Sequence, residues 1–213
     1  MKIDIIILIN LILEIYDTLF NKKQFCILRK ELPMITNPHQ QDIPVLKSMW
    51  KKIFDDDDKL IDEFFAVLYE DQNTLIWKDN DVIAAMLYMI PYRHGVYLYA
   101  LGTLPEYRKQ GIMSALINKA CDICKNIGAK GVFLVPSDIT MNKYYEKFGF
   151  IKAYCGGLMR TGLSLNSYET RIKKYVEFIE LHENENTKYV PDYFMLRDFG
   201  RFDIKDICGY IPF

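Results

Sequence analysis

Arg108, Lys109, Gln110 and Gly111 are four consecutive residues whose types suit the binding of an anion. They lie within LPEYRKQGIMSALI (residues 104–117), between a strand-like stretch and a helix-like one. No Ser, Thr or Asp is present to cap this helix start, where unpaired backbone N–H groups carry partial positive charge. Basic side chains are unfavourable there unless an anion binds. The sequence therefore predicts an anion site, which the glycine lets the ligand approach closely.

Two widespread phosphate-binding motifs are absent from this stretch. A P-loop needs G-x-x-x-x-G-K-[ST] and a dinucleotide-binding fold needs G-x-G-x-x-G, and neither pattern occurs. A single glycine between a strand and a helix is a weak signal by itself. The chemistry must therefore be judged together with a wider part of the chain.

The wider string YALGTLPEYRKQGIMSALI (residues 99–117), followed by YYEKFGF (residues 144–150), resembles the GNAT family of N-acetyltransferases. The family's acetyl-CoA signature is Q/R-x-x-G-x-G/A after a strand, with a later Y-x-x-x-G-F. Arg108 and Gly111 match the first element, and Tyr145, Gly149 and Phe150 match the second. The resemblance covers roughly residues 34–160. It implies an α/β (α+β) fold of the GNAT acyl-CoA N-acyltransferase type, with a mixed, mostly antiparallel sheet flanked by helices.

The resemblance also implies where acetyl-CoA binds. The cofactor would lie in a V-shaped gap between the strands YLYALGT and GVFLVP, with its diphosphate on backbone N–H groups just past Arg108. A bulge in ALGT, eased by Gly102, would present N–H donors to the reacting carbonyl, and Tyr145 would protonate the leaving thiolate. The cofactor-binding residues implied in this way are Leu101, Gly102, Thr103, Arg108, Lys109, Gln110, Gly111, Ile112, Met113, Ser114 and Asp138.

Three positions depart from the family pattern. Met113 stands where the motif has Gly or Ala, and Asp138 stands where Asn is common. Tyr99 occupies the place where many relatives keep a glutamate base. The group that removes the proton from the acceptor amine therefore stays open among Tyr97, Tyr99, Glu63, Glu70 and Asp138.

The expected function is an N-acetyltransferase that moves an acetyl group directly from acetyl-CoA to a primary amine of a small molecule or peptide. Its expected partners are acetyl-CoA and the amine acceptor, with no metal. The missing acid at Tyr99 keeps an alternative open, a non-catalytic module of the same fold that binds or senses acyl-CoA. The register of the motif assigns catalysis to Tyr145 and leaves Tyr144 as an aromatic residue that packs on the sheet.

Hydrophobic periodicity predicts the elements that position these motifs. Two helices flank the acidic run at residues 55–58, where acids suit the positive end of the second helix better than they indicate a cation site. Three antiparallel strands lead to Thr103. A helix from Gly111 to Gly128, a buried strand, a short helix stopped by Gly149 and a further strand follow. The segment NSYETRIKKYVEFIELH (residues 166–182) is also predicted to be helical.

Three regions are predicted along the chain: an N-terminal amphipathic extension at 1–33, the acetyltransferase domain at 34–162, and a C-terminal helical and aromatic extension at 163–213 packed on the core. The apolar leader is interrupted by acids and an asparagine at helical spacing, which argues for an amphipathic helix and against a membrane span. It packs on the domain, packs on a partner chain in a homodimer, or is dispensable before a start at Met34. A membrane tether and a second domain beginning in the tail are the competing interpretations.

The composition excludes several classes of protein. Half of the residues are hydrophobic, 26% are charged and the formal net charge is −1, so charge indicates neither nucleic acid nor an anionic membrane as a partner. The five cysteines, with no secretory signal, indicate reduced thiols in the cytoplasm. Cys121 and Cys124 form a C-x-x-C inside a predicted helix and are interpreted as packed positions. His39, His94 and His182 do not cluster.

Overall fold

The structure, a computed structural model, describes residues 34–153, 167–182 and 193–200. The predicted extension at 1–33 lies outside these residues, as does the tail beyond 200. No helix in the described ranges is long and apolar enough to cross a membrane.

The strands of the described residues form one seven-stranded sheet in the order β1-β2-β3-β4-β5-β7-β6. Each neighbouring pair is antiparallel except β4 and β5, which are parallel. The predicted mixed, mostly antiparallel sheet is therefore confirmed. The strands are β1 (Met34–Thr36), β2 (Thr74–Asp79), β3 (Val82–Tyr92), β4 (Gly95–Thr103), β5 (Gly131–Leu134), β6 (Ile151–Ala153) and β7 (Phe194–Asp198).

Helices cover both faces of the sheet. One face carries α1 (Ile43–Phe54), α2 (Asp58–Val67) and α5 (Ser167–His182), and the other carries α3 (Ile112–Asn126) and α4 (Asn142–Glu146). This double cover explains why β3, in the centre, is apolar and buried almost throughout its length. Burial of one large apolar side chain stabilises a fold by about 1.5–3 kcal/mol, so the two covered faces supply most of the stability.

The acidic run at residues 55–58 connects α1 to α2. Asp57 is the N-cap of α2, and its carboxylate accepts a hydrogen bond from the backbone N–H of Lys59 at 2.8 Å. Asp56 accepts a hydrogen bond at 2.8 Å from the indole N–H of Trp50, which is buried. Local capping and pairing therefore account for these two acids, in line with the helix-start interpretation.

The C-terminal part of the described chain contributes to both layers. α5, predicted from its periodicity, packs on α2 and buries the apolar stripe that ends in Tyr175, Val176 and Ile179. Residues 194–198, which the sequence assigned to an extension packed on the core, form β7 inside the sheet, between β5 and β6. The sheet thus includes a strand from the predicted extension.

Cys121 and Cys124 lie on the side of α3 that faces the sheet, and they are 2% and 1% exposed. Burial raises the pKa of both thiols, that of Cys124 to about 12. Across the described ranges, no cluster of three or more His, Cys, Asp or Glu residues is arranged to hold a metal ion. The two thiols are part of the core, as their interpretation as packed positions requires.

Candidate active site

β4 carries a bulge in its pairing with β3. Met86 is opposite Gly102, whereas Tyr88 is opposite Tyr99, so β4 contains one extra residue between these pairs. Ala100, within this interval, has a left-handed φ of +45°. A bulge in the ALGT segment is therefore present, but the expectation that Gly102 eases it is wrong, because Ala100 carries the distortion.

Gly102 instead allows α1 to approach the sheet. A Cβ at this position would lie 3.0 Å from Cδ1 of Ile53 and 3.3 Å from Cε2 of Phe54. Both side chains belong to the last turn of α1. The absence of a side chain at Gly102 therefore sets the spacing between α1 and the strand that lines the candidate site.

β4 and β5 separate beyond their first residues. Their pairing ends at Tyr97 and Phe133, and β4 continues to Thr103 without β5 beside it. The pairing of the two strands therefore ends there, and we call the space between their carboxyl ends the gap; it is the place where the resemblance implies the acyl-CoA.

Main-chain groups of β4 point into this gap. The backbone N–H of Leu104 donates to the carbonyl of Ala84 on β3 at 2.9 Å. Because ladder hydrogen bonds alternate along an antiparallel strand, the main-chain groups of Thr103 turn away from β3. Leu101 lies between this regular part of the strand and Tyr99, in the bulged interval where the pairing with β3 is interrupted.

The start of α3 has free backbone donors. Ala115 donates the first helical hydrogen bond, at 3.0 Å to the carbonyl of Gly111, and no described residue accepts from the amides of residues 109–114. Gly111 and Lys109 have φ values of +80° and +63°, so the chain turns sharply before the helix. A Cβ on Gly111 would meet nothing within 4 Å. The donors of the predicted anion site thus adjoin open space.

Two side chains hold the loop that precedes these amides. Nε of Arg108 donates to the carbonyl of Thr103 at 3.1 Å, which ties the loop to the end of β4. Nε2 of Gln110 donates to the carbonyl of Glu106 at 3.3 Å. Hydrogen bonds from its own side chains therefore stabilise the loop, and the charge of Arg108 lies beside the helix start.

The first residues of α3 place their side chains in three ways. Ile112 is buried in the core beneath the helix, and Met113 is half-buried and packs against the same core. Met113 therefore turns its side chain toward the protein, which fits its place in a motif that has Gly or Ala there. The half-buried Ser114 points its hydroxyl at Tyr144, with 3.2 Å between Oγ and the phenol oxygen.

Tyr145 is the more buried member of the tyrosine pair on α4, at 7% exposed. Its ring packs edge-to-face on Phe150, with centroids 6.1 Å apart. Burial, followed by the influence of Tyr144 and the Asp138 carboxylate, raises the pKa of the Tyr145 hydroxyl above its usual value. That hydroxyl forms no hydrogen bond with any other residue that the structure describes. Tyr145 is therefore protonated at neutral pH and has an uncommitted O–H group.

Tyr144 does more than the expected packing. The hydrogen bond of its hydroxyl to Ser114 joins two segments 30 residues apart. Local sequence patterns contain no signal for such a pair, and sequence reasoning missed it.

Asp138 is exposed and caps the short helical turn Ile139–Met141. Its carboxylate accepts from the backbone N–H of Thr140 at 2.7 Å and also from the Thr140 hydroxyl. These hydrogen bonds hold the pKa of Asp138 below its usual value. The carboxylate is thus ionised and engaged by its own turn, on the same side of the molecule as Tyr145.

Several candidates for the general base are committed to other contacts. Burial raises the pKa of Tyr97 well above its usual value, so its hydroxyl is protonated near neutral pH. Glu70 forms an ion pair with Arg171 at 2.6 Å. Tyr99 packs against the rings of Trp50 and Phe64, each with its centroid 5.5 Å away. The face of β4 that bears Tyr99 is therefore aromatic.

The sequence model of the acetyltransferase (GNAT) family matches residues 40–150, a little over half of the chain. This range contains the bulged strand, the free amides and Tyr145. The chain belongs to the GNAT family. No curated protein sequence matches the chain.

Solved structures of GNAT proteins have the same fold. The ribosomal-protein-S18-alanine N-acetyltransferase of Escherichia coli has a TM-score of 0.56 and 15% identity, over 81% of this chain and 97% of its own. A GNAT acetyltransferase of Brucella melitensis, in complex with acetyl-CoA, has a TM-score of 0.50 and 17% identity, over 64% and 97%. Arabidopsis thaliana Naa50, in complex with the bisubstrate analogue CoA-Ac-MVNAL, has a TM-score of 0.52 and 19% identity, over 78% and 99%.

Another matching structure, from Pyrococcus horikoshii, is a longer chain, and this protein spans 45% of its length. At all these identities the likeness establishes the fold, while the chemistry must be argued from the residues of this chain.

Proposed function

We propose that this protein is an acetyl-CoA-dependent N-acetyltransferase that transfers an acetyl group directly to a primary amine of a small molecule or peptide. The observation that carries the proposal is the row of free amides at residues 109–114, beside the gap between β4 and β5. A helix start of this kind suits a diphosphate, because its N–H groups and partial positive charge are directed at the ligand.

Each group at the gap has a distinct task in this proposal. The free amides would hold the diphosphate, with the charges of Arg108 and Lys109 close by. Each such charge is worth about 0.3–1 kcal/mol at an exposed helix start, so the site orients the ligand more than it supplies its affinity. The backbone of Leu101 would face the thioester carbonyl, and Tyr145 would supply a proton to the sulfur. Gly102, Thr103, Gln110, Gly111, Ile112, Met113, Ser114 and Asp138 complete the proposed binding residues.

The acceptor must lose a proton, because an ammonium group has no lone pair and an alkylamine has a pKa of about 10.4 in water. Among the candidate bases, Glu63 on α2 is a carboxylate that, unlike Glu70, forms no ion pair with another described residue. Direct transfer requires only that the amine arrives neutral beside the thioester. We place the reaction in the cytoplasm, and a homodimer remains a hypothesis from the sequence.

A second function has one observation in its favour. β4 contains no Asp or Glu, and Tyr99 packs against an aromatic ring. The strand therefore offers no carboxylate base, as in a module that binds acyl-CoA but does not transfer the acyl group. The two functions differ in one product. Only the enzyme releases the free thiol of CoA when acetyl-CoA is mixed with a panel of amines, which a thiol reagent detects.

Paired glycine variants test the proposed binding site. Gly111→Ala and Gly128→Ala place a methyl group at the two ends of α3, where φ is +80° and +81° and neither Cβ meets an atom within 4 Å. Both should therefore lose about 1–2 kcal/mol of stability through backbone strain alone. Only Gly111→Ala should also raise the Kd for acetyl-CoA in calorimetry, by about tenfold, the cost of about one hydrogen bond to a charged group.

Gly128→Ala is the matched control, and its Kd should equal that of the unmodified protein. Equal Kd values for the two variants would place the diphosphate elsewhere. An unmodified protein that binds no acetyl-CoA would overturn both proposed functions.

A further inference from the structure

Tyr144 connects the two elements that carry the proposed site. Its hydroxyl lies 3.2 Å from Oγ of Ser114. Ser114 is in the first turn of α3, and its amide is among the free donors. Tyr144 precedes Tyr145 on α4. The hydrogen bond therefore runs from the proposed diphosphate site to the helix that bears the proposed acid.

Aromatic contacts hold the ring of Tyr144 in place. It packs edge-to-face on Tyr145, with centroids 5.4 Å apart and planes at 69°, and on Phe148 at 5.2 Å and 71°. α4 has only five residues, too few to be stable through its own hydrogen bonds. Its orientation thus depends on side-chain contacts, and the bond to Ser114 connects it to the start of α3.

The direction of this hydrogen bond is set by what Ser114 faces. A hydroxyl has one proton to donate and two lone pairs that accept. An anion only accepts hydrogen bonds, so a diphosphate beside the free amides would accept a hydrogen bond from the Ser114 hydroxyl. Oγ of Ser114 would then accept from the Tyr144 O–H, which gives a continuous donor chain from Tyr144 through Ser114 to the anion.

We propose that Tyr144 is a positioning residue for the diphosphate of acetyl-CoA. It holds the Ser114 hydroxyl toward the diphosphate and fixes α4 against the start of α3. This inference rests on the proposed function and deepens it. Tyr144 acts in substrate binding, whereas Tyr145 acts in the chemical step.

Hydroxyl deletions at both ends of the bond test the inference. Tyr144→Phe keeps the ring and Ser114→Ala removes the partner, so each should raise the Kd for acetyl-CoA by about five- to tenfold in calorimetry. The Kd of the double variant should equal that of the single variant with the higher Kd, because both changes break the same chain of hydrogen bonds. S-acetylpantetheine lacks the diphosphate, and its Kd, measured by NMR titration, should be the same in all four proteins.

Tyr69→Phe is the matched control. Tyr69 lies on the opposite face of the sheet, and its buried hydroxyl forms no hydrogen bond within the part of the chain that the structure describes. Its loss should leave the Kd for acetyl-CoA unchanged. A Kd that Tyr144→Phe leaves unchanged, or an equal loss for acetyl-CoA and S-acetylpantetheine, would reduce Tyr144 to a packing residue. Ser114→Ala probes the same bond if Tyr144→Phe does not fold, and failure of the unmodified protein to bind acetyl-CoA would instead overturn the proposed function.

Discussion

The hydroxyl of Tyr145 combines burial with freedom from hydrogen bonds to the described residues, and these two properties define its chemistry. Burial raises its pKa, so the group keeps its proton throughout the physiological range. In the proposed reaction, this free O–H would donate a proton to the sulfur as the C–S bond breaks. Tyr145 therefore suits the task of a proton donor and not that of a base.

Removal of this hydroxyl should affect turnover and spare binding. Tyr145→Phe should lower kcat by about 10²-fold or more, the contribution of a positioned acid, while the Kd for acetyl-CoA stays within about twofold. Steady-state kinetics with the best amine of the panel and calorimetry measure the two quantities. Unchanged turnover would remove Tyr145 from the chemical step.

The dependence of the rate on pH gives Tyr145 a second test. Tyr145 works protonated and its pKa is raised, so its contribution is complete below the ordinary tyrosine pKa of about 10 and is lost only at higher pH. The value of kcat/KM should therefore rise with pH as the acceptor amine loses its proton, with no descending limb below about pH 10. A descending limb near pH 8 would indicate a different acid.

At the scale of elements, the end of α1 and the bulged strand β4 are fitted to each other through Gly102. The closest contact that a Cβ would make there is with Cδ1 of Ile53, at 3.0 Å. Gly102→Ala should therefore lower the free energy of unfolding by about 1–3 kcal/mol, as overpacked positions do.

A compensating variant shows whether this contact is the cause. Ile53→Val deletes Cδ1, so Gly102→Ala should cost less in the Ile53→Val background than in the unmodified protein, as measured by urea denaturation in a double-mutant cycle. The same cost in both backgrounds would rule out the contact with Ile53 as the reason for the glycine.

The elements themselves were largely predictable, because each is encoded within one short segment. Helical periodicity predicted α1, α2, α3 and α5, and positive φ values at Gly128 and Gly149 agree with the expected helix ends. The position of the bulge was not predictable, since it depends on the register of β4 against β3. Ala100 has the left-handed φ at the bulge that Gly102 was expected to ease.

Contacts between distant segments were also beyond the sequence. Tyr144 and Ser114 are 30 residues apart, and the side-chain amide of Asn142 bonds to the hydroxyl of Tyr193, 51 residues later, at 2.8 Å. Periodicity reports which side of a segment is buried but not which segment covers it. The binding role of residues 109–114 remains a prediction, because the free amides are observed but their proposed ligand is not part of the chain.

At the scale of the whole molecule, β7 holds two parts of the sheet together. It pairs with β5 along Gly131–Leu134 and with β6 along Ile151–Ala153. Tyr193, directly before β7, hydrogen-bonds to Asn142 on α4. The strand therefore supports the short helix that bears Tyr145 as well as the far edge of the sheet.

Truncation of a β7 side chain should weaken the entire fold. Phe194 is 1% exposed, and Phe194→Ala should cost about 3–5 kcal/mol. Ile151→Ala on the neighbouring β6 is the control, because Ile151 is 63% exposed and its loss should cost about 0.5 kcal/mol or less. Thermal denaturation should show one transition for both variants, with the midpoint lowered far more by Phe194→Ala. Similar midpoints would mean that β7 is not integral to the sheet.

The interior place of β7 also dictates how the chain matures on the ribosome. β6 emerges before β7, and β7 is the strand that pairs with β6 among those described, so a nascent chain cannot form this pair until β7 has also left the ribosome. During that interval the free edge of β5 can recruit foreign strands, as unprotected edges do. Messages cut short between β6 and β7 should therefore yield aggregates and not a smaller folded domain.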